Sequence, residues 1–510
     1  MLVSELIRRG AVYHAERTAI LFGDRALSFR EVDRLSSRIA NLFVAGFGLA
    51  KGTPIALLLD NGLHSIPCDF GCVKAGLTRT PLNGRLALAE HRAMLEAIGA
   101  RLLIYGPSQG ERAAALKAEL PHLDVYGLGD AEIGPDLLTL AQSASDADPK
   151  LRHDPDDVLL ALFTSGTSGK LKAAQHTQAT YSAVVHNVLT NLIDPKAGDR
   201  MLHAASMIHA SGTFVLPYWI RGGTAAILPG FSPADYVEAI ERWRPAALNL
   251  VPTMLQMLFQ LPGIEQADFS SVDTILYGAS PMPRPVLERG LELWGPLFVQ
   301  YYGQTEAPLA ICALSKQDHV GAPAERLLSC GRPSVECEIR LVDEQGTDVP
   351  PGEDGEIVLR APFAMRGYTD PSLDAFLPGG WLRTRDVGRF GEEGYLTLVD
   401  RTSDMIVTGG YNVYPREVED VLSGHPSVAQ VAVVGLPDEV WGEAVTAFVV
   451  GREAAACDEA ALVAYARERL ASYKAPKAIR FVEAIPLSVV GKPLRRALRD
   501  PFWQGKERRI

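Results

Sequence analysis

Val158-Leu-Leu-Ala-Leu-Phe163 runs straight into Thr164-Ser-Gly-Thr-Ser-Gly-Lys170-Leu-Lys172. Six apolar residues predict a buried strand, and the polar stretch behind them predicts a bend that ends it. Gly166 and Gly169 let the backbone turn tightly and present amide N–H groups. Thr164, Ser165, Thr167 and Ser168 add hydroxyls, and Lys170 and Lys172 add positive charge. Such a loop suits a polyphosphate. No Gly-x-x-x-x-Gly-Lys-Ser/Thr pattern can be drawn through it, which disfavours a P-loop kinase or NTPase. On these residues alone an ordinary Ser/Gly turn stays open.

Strand and helix signals alternate on both sides of this stretch. Pro54-Ile-Ala-Leu-Leu-Leu59 predicts a buried strand, Asp60-Asn-Gly62 a turn, and the segment through Cys68 and Cys72 a helix with both thiols in the core. Residues 101–105, 225–228 and 246–251 repeat the strand signal beside helix-compatible segments, so an α/β fold is expected, with parallel-type sheets and helices in a large N-terminal domain. From about 330 to 400 the texture becomes short alternating strands at 337–342, 355–359 and 395–399, a β-rich subdomain. After Asp400-Arg401 a small α+β domain is expected, with helices at 415–422 and 458–470 and strands near 428–434 and 444–450. The division is therefore 1–401 and 402–510.

A chain of 510 residues exceeds one hydrophobic core. Its net charge of −11, from 61 acidic and 50 basic residues, disfavours a broad nucleic-acid surface, and its one basic cluster, 492–499, is short. Glu5, Arg8 and Arg9 interrupt the first twenty residues, so neither a signal peptide nor a membrane span is expected there. Six irregularly spaced cysteines make no disulfide framework, and a cytoplasmic setting is expected.

Further motifs follow in order: Tyr301-Tyr-Gly-Gln-Thr-Glu306, Gly380-Trp-Leu-Arg-Thr-Arg-Asp386, Asp400-Arg-Thr-Ser-Asp-Met-Ile406 with Gly409-Gly-Tyr-Asn-Val-Tyr-Pro415, and Gly491-Lys492 followed by Arg495. Together with the phosphate loop, this series resembles the adenylate-forming superfamily, which includes acyl- and aryl-CoA synthetases, peptide-synthetase adenylation domains and luciferases. The resemblance spans nearly the whole chain. It implies a large domain that binds ATP and a carboxylic acid, and a small mobile C-terminal domain that carries a catalytic lysine.

By the resemblance, ATP lies against Thr164, Ser165, Gly166, Thr167, Ser168, Gly169 and Lys172, against Gly278-Ala279-Ser280, and against Tyr302 and Gly303. Tyr302 packs on adenine, Thr305 touches the α-phosphate, and Glu306 helps to hold Mg²⁺, a hard cation that prefers carboxylate oxygen. Asp386 and Arg401 meet the ribose hydroxyls. As an isolated pair these two would read as solvated charges, and Gly278-Ala-Ser-Pro281 reads equally well as a turn after the apolar run 274–277. Lys492 bridges the acid and the α-phosphate as pyrophosphate leaves. The small domain then rotates about Ser403, and Gly409, Gly410, Tyr411 and Asn412 border the tunnel for the pantetheine thiol of CoA.

The corresponding acid-pocket segment is His203-Ala-Ala-Ser-Met-Ile-His-Ala-Ser-Gly-Thr-Phe214. Peptide-synthetase domains place an Asp in this region, and its absence here disfavours an amino acid. His209 matches a recurrent pocket histidine, with a hydrogen-bonded core histidine as the alternative. Ala210, Ser211, Gly212, Thr213, Gly278, Ala279 and Gly303 are small and leave room for a bulky hydrophobic acid: long-chain, aromatic or polycyclic, terpenoid-like. Departures from the usual pattern are Leu171 for Pro, Ala173 for Gly, Arg385 for Gly, and Ser403 for Asp or Lys. The expected activity is an ATP-dependent acid:CoA ligase, acting as a monomer or a homodimer. Its alternatives are a stand-alone enzyme that loads a carrier protein, a luciferase-type oxygenase, and a silent adenylate-binding sensor.

Overall fold

The apolar run at 158 forms the strand Val158–Thr164, and Lys172–Thr177 returns antiparallel beside it, with Leu160 opposite His176 and Thr164 opposite Lys172. On its other edge the parallel strand Thr78–Pro81 places Arg79 opposite Leu160. The computed structural model describes every residue except Asp130, 165–171, Pro281, Asp374, Glu392, 402–403, 409–410, 439–440, 453–457, 488–492 and 505–510; the side chains of 400, 401, 411 and 412 also lie outside it.

Among the described residues these strands belong to a seven-stranded sheet, whose order continues through Pro54–Leu58, Leu102–Tyr105 and Asp124–Gly127 on one side and ends at Gly367–Tyr368 on the other. A second sheet of nine strands has a parallel centre, formed by Thr18–Phe22, Thr224–Ile227, Arg200–His203, Ala247–Leu250, Thr274–Gly278 and Phe298–Gln304. Its edges are antiparallel. Parallel strands need covered faces. Helices Val3–Tyr13, Ser65–Lys74, Gln178–Asn191 and Val215–Arg221 supply the cover, with Ile7, Phe70, Val185, Val215 and Trp219 in one core. Cys68 and Cys72 are buried as expected, and the five described cysteines are free.

The β-rich stretch is an antiparallel five-stranded sheet between Glu338 and Arg401. A further five-stranded sheet follows, from Ile406–Thr408 to Ala478–Phe481, with helices Pro415–Ser423, Glu459–Arg467 and Arg495–Trp503. Ile406, Val418, Val433, Ala447, Leu462 and Ile479 pack into a cluster of its own. The mixed α/β architecture matches the sequence expectation, with boundaries shifted by a few residues.

Candidate active site

A cavity of about 1330 Å³ lies against one face of the seven-stranded sheet. Alternation along each strand turns Leu160, Leu162 and Thr164 toward it, and Lys172 and His176 from the neighbouring strand. Ala279, Ser280, Tyr302, Gly303, Thr305, Glu306 and Asp386 line the same space, and so do Asp404, Glu419 and Pro493 through Arg496 from the C-terminal unit. Ser165, Gly166, Thr167, Ser168, Gly169, Ser403, Gly409, Gly410 and Lys492 lie outside the described residues. Their described neighbours Thr164, Lys172, Asp404 and Pro493 all border the cavity. The backbone of Arg401 stands opposite Asp386, and those of Tyr411 and Asn412 opposite Thr408 and Val407.

Glu306 is nearly buried, at 8% exposure, and its Oε1 accepts a 2.8 Å hydrogen bond from the hydroxyl of Tyr368. Lys172 Nζ sits 5.7 Å from the centre of the Tyr368 ring. Tyr368 thus stands between an ammonium and a carboxylate, brought there because Gly367–Tyr368 pairs with the strand of Lys172. Burial, followed by the Glu306 charge, raises the phenol pKa, so it remains a donor. Among the described residues no cluster of three metal-ligating side chains exists. One carboxylate in a cavity that Thr164 and Lys172 also border nevertheless fits Mg²⁺, which takes most of its ligands from phosphate oxygens and water.

His176, on the same strand as Lys172, supports the backbone next to Glu306. It is fully buried, its Nε2 is 2.8 Å from the carbonyl oxygen of Thr305, and burial pushes its pKa down to about 4. The neutral ring donates that hydrogen bond and holds the Thr305–Glu306 backbone against the seven-stranded sheet.

Tyr302 donates a 2.6 Å hydrogen bond to Asp386 Oδ2, and both are buried. Desolvation and the adjacent carboxylate push the Tyr302 phenol pKa well up. The expected adenine platform and the expected ribose acceptor are therefore one coupled pair. Beside them Arg385 has a left-handed backbone, φ 63°. Left-handed backbone favours glycine, which accounts for the glycine usual at this place. Arg385 is held by its own N–H, which donates to Glu356 Oε1 at 3.2 Å, while Glu356 is forked by Arg383.

His209 caps the short helix Ala210–Thr213, and its Nε2 lies 3.2 Å from the side-chain nitrogen of Asn83. The backbone carbonyl of Asn83 accepts in turn from buried His91 at 2.8 Å. His209, Ala210, Gly212 and Thr213 line the cavity. Gly278 is not among the lining residues, and its missing Cβ has an internal cause, because it would come 2.4 Å from the carbonyl oxygen of Tyr301 on the adjacent parallel strand. Gly303 lines the cavity, yet its missing Cβ also has an internal cause, because it would sit 2.4 Å from the Leu309 carbonyl oxygen. Tyr368, Asn83 and His176 were not singled out in the sequence. Each acts through a partner far along the chain, so no local spacing marks it.

The model of the AMP-binding enzyme family matches residues 7–369, and that of the AMP-binding enzyme C-terminal domain matches 417–492. A medium/long-chain-fatty-acid–CoA ligase, FadD8 of Mycobacterium tuberculosis, is 38% identical over 98% of this chain and 89% of its own. A feruloyl-CoA synthase from Amycolatopsis is 37% identical over 95% of this chain and 96% of its own. The solved amide bond synthetase McbA of Marinactinospora thermotolerans superposes with a TM-score of 0.90 at 31% identity, covering 98% of this chain and 100% of that one. With the cavity built as described and these likenesses running nearly end to end, the chain belongs to the AMP-binding, adenylate-forming enzyme family and is of its acyl-/aryl-CoA synthetase type.

Proposed function

We propose that this enzyme is an ATP-dependent acid:CoA ligase that adenylates a bulky hydrophobic carboxylic acid and passes the acyl group to the thiol of CoA. One observation carries the reading: Thr164 and Lys172, which flank the phosphate loop, border the same cavity as Thr305, Glu306 and Pro493, the residue after Lys492. The chemical difficulty is electrostatic, since a carboxylate and a phosphate must approach each other. Lys172 and Lys492 supply the positive charge, and the loop hydroxyls and Thr305 supply donors to the phosphate oxygens. The acid oxygen bonds to the α-phosphorus as the bond to pyrophosphate breaks. Glu306 would hold Mg²⁺, which would supply neutralising charge to the phosphates. Asp386, oriented by Tyr302, accepts from the ribose, and Arg401 donates to it.

The acyl-adenylate is a mixed anhydride, so a thiol sulfur attacks its carbonyl carbon and AMP leaves without further energy input. Rotation of residues 402–510 about Ser403 withdraws Lys492 and brings Gly409 through Asn412 to the thiol tunnel. Arg495 ties the segment after Lys492 to that unit, with Nη2 2.6 Å from Glu419 and Nη1 3.1 Å from Asp404. Lysine and helix then move together.

CoA as acceptor draws support from the CoA-ligase relatives, and the pantetheine of a carrier protein is the second reading. The deciding experiment incubates the enzyme with ATP, Mg²⁺ and a panel of hydrophobic acids, scoring pyrophosphate, AMP and thioester with and without CoA. Acid-dependent pyrophosphate release, and thioester formation on adding CoA, are expected. Thioester forming on a carrier protein but not on CoA reverses the acceptor, and no acid-dependent pyrophosphate release defeats the reading.

A further inference from the structure

We infer that the acid branch of the cavity ends in a polar recognition point, the Asp69–Arg79 pair, built for an acid whose apolar body carries a hydroxyl at the end remote from its carboxylate. This rests on the adenylation reading above and adds the substrate class. Arg79 stands opposite Leu160, four residues before Thr164, and therefore about 13 Å along the sheet from Thr164. Ile7, Ile66, Phe70, Val73, Val215 and Leu216 line the cavity and share one apolar cluster with Leu160, the residue opposite Arg79. An ion pair in an apolar branch is costly to desolvate and is unneeded for a purely hydrocarbon tail.

The pair is open to the branch on one side. Asp69 Oδ1 is 2.6 Å from Arg79 Nε, and Arg79 is 6% exposed, but Asp69 retains 33% of its side-chain exposure. Asp69 is thus the open member of the pair, and both residues line the cavity. Tyr181 joins the cluster to the acid pocket: its ring centre lies 5.4 Å from the Arg79 guanidinium, and it lines the cavity together with Thr213. Charge selects the partner group. A remote carboxylate would meet the open Asp69, a like-charge conflict, and a remote ammonium would leave a net positive charge among apolar side chains beside Arg79, whereas a neutral hydroxyl donates to the Asp69 carboxylate at neither cost.

The test compares kcat/KM, by pyrophosphate release, for decanoic and ω-hydroxydecanoic acids, and for a phenylalkanoic acid and its para-hydroxy derivative. The wild-type enzyme should prefer the hydroxylated member of at least one pair by about tenfold or more. The double variant Asp69→Leu with Arg79→Leu removes the polar point without leaving a buried charge unpaired and should collapse that preference, read as a ratio within the same variant. Equal wild-type turnover in both pairs, or an undiminished preference in that double variant, overturns the inference and leaves adenylation standing. No acid-dependent release with any acid overturns adenylation and this inference with it.

Discussion

Arg385 carries a backbone angle that side chains rarely adopt, φ 63°, at the residue preceding Asp386. Left-handed backbone costs a residue with a Cβ about 1–2 kcal/mol, most for β-branched types. Arg385→Gly should therefore stay within about 1 kcal/mol of the wild type, since relief of the backbone offsets the entropy of glycine. Arg385→Val should lose more than about 1 kcal/mol. Denaturant midpoints check both. His176 yields a pH prediction. Its folded pKa is about 4 against an ordinary value of 6.5, so between those values the unfolded chain takes a proton that the folded one refuses. Stability then falls as pH drops through that window, by up to about 1.4 kcal/mol per pH unit from this group. His176→Gln keeps a donor for the Thr305 carbonyl and should flatten the acid limb of a plot of melting temperature against pH. The departure from glycine at 385 was legible in the sequence. Its cause was not, because a dihedral angle leaves no mark in composition.

At the scale of elements, the hairpin of Phe298–Gln304 and Ala307–Leu314 carries Tyr302, Gly303, Thr305 and Glu306 into the cavity. Its register shifts between Tyr302 and Gln304, and Leu309 is left-handed at φ 62°. Gly303→Ala would force a Cβ to within 2.4 Å of backbone that cannot move aside. It is expected to cost stability and to lower adenylation at least about tenfold by displacing Thr305 and Glu306. Wild-type pyrophosphate release by this variant would show that the hairpin relaxes without harm. Strands such as Val158–Thr164 and Thr274–Gly278 were legible because buried parallel strands read as apolar runs. The two-residue strand Gly367–Tyr368, which delivers Tyr368 to Glu306, is too short to produce a pattern. At Gly278 the small size was visible, but the neighbouring strand it accommodates was not.

The whole molecule sets two large sheets and a small C-terminal unit around one cavity. The order of motifs along the chain made this arrangement legible, since Thr164, Lys172, Tyr302, Glu306, Asp386 and Asp404 border the same space from distant parts of the sequence. The apolar branch was not legible: Ile7 near the N-terminus and Val215 meet there only because helices Val3–Tyr13 and Val215–Arg221 pack together. Among the described residues no helix is long and apolar enough to cross a membrane. The claim that unites the parts is that a lysine of the C-terminal unit serves the first half-reaction and leaves before the second. It is tested most directly with Lys492→Ala, measuring acid-dependent pyrophosphate release and, separately, CoA thiolysis of a supplied acyl-adenylate. The first should fall by about a thousandfold or more while the second stays within a few-fold of wild type; equal loss of both, or retention of the first, would contradict it.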